Sequence, residues 1–119
     1  QNLLPYKKSP QIPLDNTLAQ TKLSLLLQYI QTLFQEIFQS TKSLENLKSY
    51  YGTYLKSQGI PTEISSNLER ILNQYTLFMN NHAKHHANTS INVLEYIMYE
   101  TGNIMRLLLT LKQQENTTV

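Results

Sequence analysis

Apolar residues recur in steps of three and four along the first half of the chain, which is the spacing of one face of an α-helix. The residues of this first-helix seam are Leu23, Leu26, Ile30, Leu33, Ile37, Leu44, Leu47, Tyr51 and Tyr54. The polar run 39–43 interrupts the seam, but the apolar positions keep the same phase on both sides of it. We therefore favour one continuous helix that ends near Ser57, with a break within 39–43 as the alternative.

Two further amphipathic helices follow. Gly59 suits the position just after a helix C-terminus, and Pro61 suits the first turn of the next helix. One face of that next helix carries Ile64, Leu68, Ile71, Leu72, Tyr75 and Phe78. The last helix carries Val93, Leu94, Ile97, Met98, Ile104, Met105, Leu108 and Leu111. The pattern predicts an all-α bundle of three long amphipathic helices with short loops, or of four if the first helix breaks.

The two ends of the chain fall outside this pattern. Residues 1–13 contain Pro5, Pro10 and Pro13, and proline fixes φ and removes a backbone donor, so the sequence predicts an extended N-terminal arm there. Residues 14–114 form the predicted helical bundle, which is a single domain. Residues 115–119 are polar except for Val119, and we expect them to form a frayed tail.

Composition and charge exclude several classes of protein. The chain has no cysteine, which excludes a disulfide framework, a thiolate metal site and a cysteine nucleophile. The net charge of +2 arises from residues spread over different helices, so we expect no nucleic-acid partner. No apolar run approaches the roughly 18 residues that a membrane span needs, so we expect no membrane span.

A histidine cluster is the only candidate for metal chemistry. His82 and His86 are four residues apart, a spacing that places both rings on one face of a helix and suits zinc or copper. A convincing site needs a third ligand, and no glutamate stands at a spacing that demands partnership with these histidines. We therefore interpret the cluster as a polar, exposed helix end and expect neither a metal nor another cofactor.

Tyrosine, rather than any catalytic motif, is the most informative polar residue. Carboxylates form no recognisable pair, and the three glycines are too scattered for a phosphate-binding loop, so we expect no enzyme and no catalytic residue. Exposed tyrosine is a common interface anchor because it brings a large area at small entropic cost. Tyr50 and Tyr99 fall outside the seams, and with Arg106 they are the predicted partner-binding residues. The tyrosines on the seams, which we expect in the core, are Tyr51, Tyr54 and Tyr75.

Two tripeptides match the acceptor sequence for N-linked glycans. They begin at Asn88 and Asn116, and each would accept a glycan if the chain entered a secretory pathway.

The end of the first helix resembles a short motif of a cytokine family. Tyr54 is followed by Gln58 and Gly59 and then by Pro61. This order resembles the end of the first helix in the ciliary neurotrophic factor, cardiotrophin and cardiotrophin-like cytokines. The resemblance implies a secreted helical ligand that binds receptor ectodomains of class I through its helix faces, without a cofactor. A cytoplasmic location remains open from the residues alone.

Two functional hypotheses follow. In the first, the protein is a non-enzymatic recognition module that binds a protein partner, and its more specific form is a secreted cytokine-like ligand. In the second, it is a scaffold that self-assembles as a homo-oligomer, because a sustained seam can zip against its own copy as in a coiled coil. The residues beside the seam are mostly Gln, Ser and Thr rather than the Glu and Lys that flank most coiled coils, which favours recognition.

Overall fold

The computed structural model describes residues 16–85 and 87–117, which form an all-α bundle without a strand. The helices are α1 (Asn16–Phe38), α2 (Leu44–Leu47), α3 (Tyr51–Ser57), α4 (Thr62–Met79) and α5 (Ile91–Thr117). A 3₁₀ turn, Lys48–Tyr50, joins α2 to α3, and a π-helical segment, Asn80–Lys84, continues α4. The predicted all-α class is confirmed. The predicted extended arm, residues 1–13, lies outside the described residues.

The continuous first helix that the seam favoured is wrong, because α1 ends at Phe38 and the chain breaks within 39–43. Gln39 adopts a left-handed φ of 52°. The Ser40 N–H donates to the Gln35 carbonyl at 3.0 Å, and the Gln39 N–H donates to the Glu36 carbonyl at 3.4 Å. This pair of bonds is a Schellman motif, which satisfies carbonyls that a helix end leaves without partners.

Two glutamines of α1 hold the chain after the break against the helix that precedes it. The Gln35 amide nitrogen donates to the carbonyls of Thr41, at 3.3 Å, and Lys42, at 3.0 Å. The Gln31 side-chain oxygen accepts a hydrogen bond of 2.7 Å from the backbone N–H of Leu44, the first residue of α2. The polar run is therefore folded back along α1, and α2 begins beside the last turns of α1 rather than beyond them.

The segment from α2 to α3 then runs in the same direction as α1. Aromatic contacts show this direction, because the Phe34 ring packs on Tyr51 at 5.6 Å and the Phe38 ring packs on Tyr54 at 5.5 Å. Beginning with the Gln31–Leu44 hydrogen bond, later residues of α1 contact later residues of the segment from α2 to α3. An aromatic cluster of Phe34, Phe38, Tyr50, Tyr51 and Tyr54 thus joins α1 to α3.

A second Schellman motif reverses the chain between α3 and α4. Gly59 has a φ of 87°, the Ile60 N–H donates to the Leu55 carbonyl at 3.1 Å, and the Gly59 N–H donates to the Lys56 carbonyl at 3.0 Å. Glycine adopts this left-handed conformation without a steric penalty. Pro61 is the N-cap of α4, one position before the N1 site that the sequence predicted. The reversal after α3 is confirmed at the predicted place.

Helix α4 packs against α3 and α5 and runs opposite to both. The Lys48 ammonium donates to the Thr76 hydroxyl at 3.3 Å, and the Glu69 carboxylate lies against Gly52, where a Cβ atom would collide with it. Farther along the chain, the Tyr75 and Thr101 hydroxyls meet between α4 and α5.

Helices α1 and α5 run in the same direction. Leu18 and Ile91, near the starts of the two helices, line one groove. At the other end, Tyr54 contacts Phe38 of α1 through its ring and Glu115 of α5 through its hydroxyl.

The first-helix seam lies inside the monomer. Leu33 and Ile37 are buried against the rest of the bundle, so self-assembly through this seam would require residues that the folded chain already covers. Tyr51 and Tyr75 are buried as predicted, and Tyr54 is half-buried. The described core comprises Leu23, Ile30, Leu33, Phe34, Ile37, Leu44, Leu47, Tyr51, Leu55, Leu72, Tyr75, Met79, Ala83, Leu94, Ile97, Ile104, Leu108 and Leu111.

The end of α5 overlaps the predicted tail. The helix continues to Thr117, so it includes residues 115–117 of that tail, and residues 118–119 lie outside the described ranges. The Glu115 carboxylate accepts hydrogen bonds from the Tyr54 hydroxyl at 3.0 Å and from the Lys112 ammonium at 3.2 Å. These two bonds lower the pKa of Glu115, with the tyrosine bond as the larger cause. The side chain of Glu115 ties the end of α5 to α3.

Candidate protein-binding surface

The first half of α5 is apolar on nearly every side. Seven of the nine residues from 91 to 99 are aliphatic or aromatic, and only Leu94 and Ile97 of these are buried. We call the other five the α5 ridge: Ile91, Val93, Tyr96, Met98 and Tyr99. A helix segment that is hydrophobic all round is normally covered on all sides. The α5 ridge therefore has the composition of a buried helix and the exposure of a surface.

A groove of about 610 Å³ separates one flank of the ridge from α1. Its apolar lining residues are Leu18 of α1 and Ile91, Leu94, Met98 and Tyr99 of α5. Lys22 of α1 and Glu95 of α5 also line it, and these two exposed side chains form no ion pair with each other. This α1–α5 groove thus combines an apolar floor with one basic and one acidic group.

A second groove, of about 490 Å³, lies between the other flank of the ridge and α4. Its residues are Asn67, Arg70, Ile71, Gln74, Tyr75 and Phe78 of α4 and Val93, Tyr96, Ile97 and Glu100 of α5. The Tyr96 hydroxyl donates to the Glu100 carboxylate at 3.0 Å, and this bond is the main reason that the pKa of Tyr96 is raised. The α5 ridge therefore stands between two grooves, which is a shape that accepts helices or loops of a partner.

The orientation of α5 is set from beneath the ridge. The Tyr75 hydroxyl and the Thr101 hydroxyl lie 2.6 Å apart in the core, and Thr101 donates to the Ile97 carbonyl at 2.7 Å. Because buried polar groups need partners, this connection favours one rotation of α5 about its axis. That rotation turns the ridge outward.

The three residues predicted to bind a partner do not form a single site. Tyr99 is 76% exposed at the crest of the ridge, and Arg106 is exposed two helical turns farther along the same face of α5. Tyr50 lies in the 3₁₀ turn before α3, where its ring packs on Phe38 at 5.9 Å and its hydroxyl accepts a hydrogen bond of 3.5 Å from Lys42. The structure thus groups Tyr99 with Arg106 and places Tyr50 on another element.

Two ridge residues were assigned to the apolar seam by the sequence pattern. Val93 and Met98 were placed on the apolar seam of the last helix, but they are 39% and 46% exposed. Ile64 of α4, also placed on a seam, is exposed. The available signal was the width of the apolar stripe, because residues 91–99 carry more apolar side chains than one buried face can hold.

The histidine cluster does not assemble a metal site in the described part of the chain. No group of three His, Asp or Glu side chains in residues 16–85 and 87–117 is placed to hold an ion. The His82 ring stacks on Phe78 at 4.1 Å, and its Nδ1 atom shares a hydrogen bond of 2.9 Å with the Thr89 hydroxyl. His86 lies outside the described residues. The His82 contacts connect the end of α4 to the segment that leads into α5.

Both predicted glycan acceptors are exposed. Asn88 lies in the irregular segment before α5, and Asn116 lies in the last turn of α5. Ser90, the hydroxyl residue of the first acceptor sequence, is exposed as well. Neither asparagine belongs to the α5 ridge or its grooves.

No protein-family model matches the chain, and comparisons with curated proteins and with solved structures find no match. Within the described ranges, no helix has the combination of length and apolarity that crossing a membrane requires.

Proposed function

We propose that this protein is a non-enzymatic protein–protein recognition module that binds its partner through the α5 ridge and the grooves beside it. The observation that carries this proposal is the exposure of five large apolar side chains on the first half of one helix. Contiguous apolar patches with polar rims are typical of protein-binding surfaces. Two of the five are tyrosines, which are enriched among the residues that dominate binding energy.

The charges around the ridge support specific binding of a partner rather than nonspecific hydrophobic association. Each groove carries one basic residue on its outer helix, Lys22 or Arg70, and one acidic residue on α5, Glu95 or Glu100. Polar rims of this kind set the register of a partner on an apolar centre. Arg106 extends the polar rim along α5 beyond Tyr99.

In its more specific form, the proposal is a secreted ligand similar to the ciliary neurotrophic factor and cardiotrophin-like cytokines, with class I receptor ectodomains as partners. This form is supported by the resemblance of the segment from Tyr54 to Pro61. In this chain Tyr54 bonds to Glu115, Gly59 supplies the left-handed turn and Pro61 caps α4. The motif residues therefore shape the bundle, and receptor contact would fall to the α5 ridge.

The test is capture of partners by the wild-type chain and by a Met98→Lys variant in parallel, followed by binding measurements with each purified candidate. A panel of purified class I receptor ectodomains tests the specific form directly. Met98 is half-exposed on the ridge, so lysine can reach solvent in the free protein, and the fold should survive. We expect a partner whose dissociation constant rises at least about thirtyfold with this variant.

The control is Leu77→Lys, which makes the same kind of change on α4, outside the residues that line either groove. This variant should bind as the wild type does. Partners that bind Met98→Lys and the wild type equally would place recognition elsewhere on the molecule.

A further inference from the structure

The ridge and the α1–α5 groove lie side by side on one face, so this face carries both a projection and a depression. A two-fold symmetric dimer requires a surface that is complementary to itself, with each projection next to the depression that receives its copy. Tyr99 and Met98 project from α5, and the groove between them and Leu18 lies directly beside. If the two-fold axis runs along the groove, α5 of a second molecule lies parallel to α5 of the first and places its ridge in this groove.

Charge selects the same arrangement. Lys22 lines the α1 side of the groove and Glu95 the α5 side, and the two do not pair within the chain. When α5 of a second copy enters the groove, its Glu95 approaches the α1 side, where Lys22 stands. Two-fold symmetry makes this contact twice, so each copy supplies one basic and one acidic group.

The apolar content of the surface also favours a second copy over a transient partner. Interfaces between identical subunits are more apolar than those of transient complexes. The ridge contributes five exposed large apolar residues, and Leu18 of α1 adds another at the edge of the groove. By contrast, the charged residues of this groove number only two, Lys22 and Glu95.

We propose that the partner on the α5 ridge is a second copy of this chain, docked about a two-fold axis with Lys22 of each copy facing Glu95 of the other. This inference rests on the proposed function, because it assigns the partner of the same surface. It also gives self-association an interface different from the first-helix seam, whose residues are buried or half-buried in the monomer.

The first experiment is molar mass by light scattering on a concentration series of the full chain, up to about 1 mM so that weak association is detected. The wild type and Leu77→Lys should reach the mass of two 13.8 kDa chains, and Met98→Lys should stay at one. Far-ultraviolet circular dichroism of all three must show the same helix content. A dimer that persists in Met98→Lys overturns the proposal, because its interface then lies elsewhere.

The second experiment exchanges charges. Lys22→Glu alone and Glu95→Lys alone each create two like-charge contacts across the proposed axis, and each should weaken the dimer roughly tenfold or more. A mixture of these two variants should form a heterodimer about as strong as the wild-type dimer, because both contacts are attractive again. Neither variant can form the attractive contacts with copies of itself, so recovery requires one chain of each kind in the dimer. If the mixture does not recover, the pairing of Lys22 with Glu95 is overturned, and with it the docked arrangement.

The two proposals fail in different ways. A wild-type chain that stays at 13.8 kDa throughout the series overturns the second copy as partner. If other proteins still bind the chain and lose affinity with Met98→Lys, the ridge remains a recognition surface for them. If Met98→Lys changes neither the mass nor any binding, recognition through the ridge fails as well.

Discussion

Tyr75 donates its hydroxyl hydrogen to Thr101 across the interface between α4 and α5. The oxygen atoms are 2.6 Å apart, and the direction follows from the second bond of Thr101, whose single hydroxyl hydrogen is directed at the Ile97 carbonyl 2.7 Å away. Both side chains are almost completely buried. A chain of two hydrogen bonds therefore leads from α4 into the backbone of α5.

Loss of this connection should destabilise the bundle in a graded way. Tyr75→Phe removes the donor but leaves Thr101 bonded to Ile97, so we expect a loss of about 1 kcal/mol in the free energy of unfolding. Thr101→Val leaves the Tyr75 hydroxyl buried without an acceptor, which should cost more, about 1–3 kcal/mol. Urea denaturation of both variants and of the double variant measures the coupling. Equal losses in the two single variants would contradict the direction of the bond.

The same substitution at Tyr51 should have the opposite result. The Tyr51 hydroxyl is buried and has no hydrogen-bond partner, although its ring packs closely on Phe34. Tyr51→Phe keeps the ring and removes a polar atom that burial penalises, so we expect unchanged stability or a gain of up to about 1 kcal/mol. Denaturation beside Tyr75→Phe supplies the comparison. A loss as large as that of Tyr75→Phe would mean that the Tyr51 hydroxyl has an acceptor in solution.

Stability should fall at alkaline pH. Burial raises the pKa values of Tyr51, Tyr54 and Tyr75 from the ordinary 10.0 to about 12, with a contribution at Tyr54 from Glu115. The folded state holds these protons more tightly than the unfolded state, so their contribution is complete below pH 10 and is lost as the pH rises to about 12. Denaturation curves across that interval measure the loss. A variant with phenylalanine at positions 51 and 75 should lose less, and a wild type of constant stability there would contradict the prediction.

A single substitution, Gln39→Gly, should stabilise the fold. It occupies the same Schellman position as Gly59 but carries a side chain in the left-handed region. Relief of roughly 1–2 kcal/mol of backbone strain is partly offset by the greater freedom of glycine in the unfolded chain, so Gln39→Gly should gain about 0.5–1 kcal/mol. Thermal unfolding measures the gain. Gly59→Ala makes the opposite change at the equivalent position and should lower stability. If both variants lower stability, the two positions do not share the left-handed conformation.

The sequence predicted the helical class and the reversal at Gly59, but it indicated the end of α1 only as the alternative, a break within 39–43. Helical periodicity reports which residues face the core, and the seam remains in phase whether the chain continues straight or turns back. The break depends on Gln31 and Gln35, whose side chains bind the returning backbone. Such contacts between a helix and the loop after it leave no periodic signal in the sequence.

The binding surface was predictable only in part. Tyr99 was identified because it falls outside the apolar seam, Arg106 was named beside it, and the structure exposes both. Val93 and Met98 were placed on the apolar seam because they are apolar and fit its spacing of three and four residues. Which flank of a wide apolar stripe is covered depends on the rotation of the helix, and in α5 the Tyr75–Thr101 bond is part of what determines it.

The aromatic cluster between α1 and α3 makes the reversal at 39–43 observable by spectroscopy. The chain contains eight tyrosines and no tryptophan, so its near-ultraviolet circular dichroism comes from tyrosine with weaker bands from phenylalanine. The Phe34 and Phe38 rings hold fixed angles to Tyr51 and Tyr54 only while α3 packs on α1. A state that kept its far-ultraviolet signal while losing the near-ultraviolet one would contain both helices without their contact.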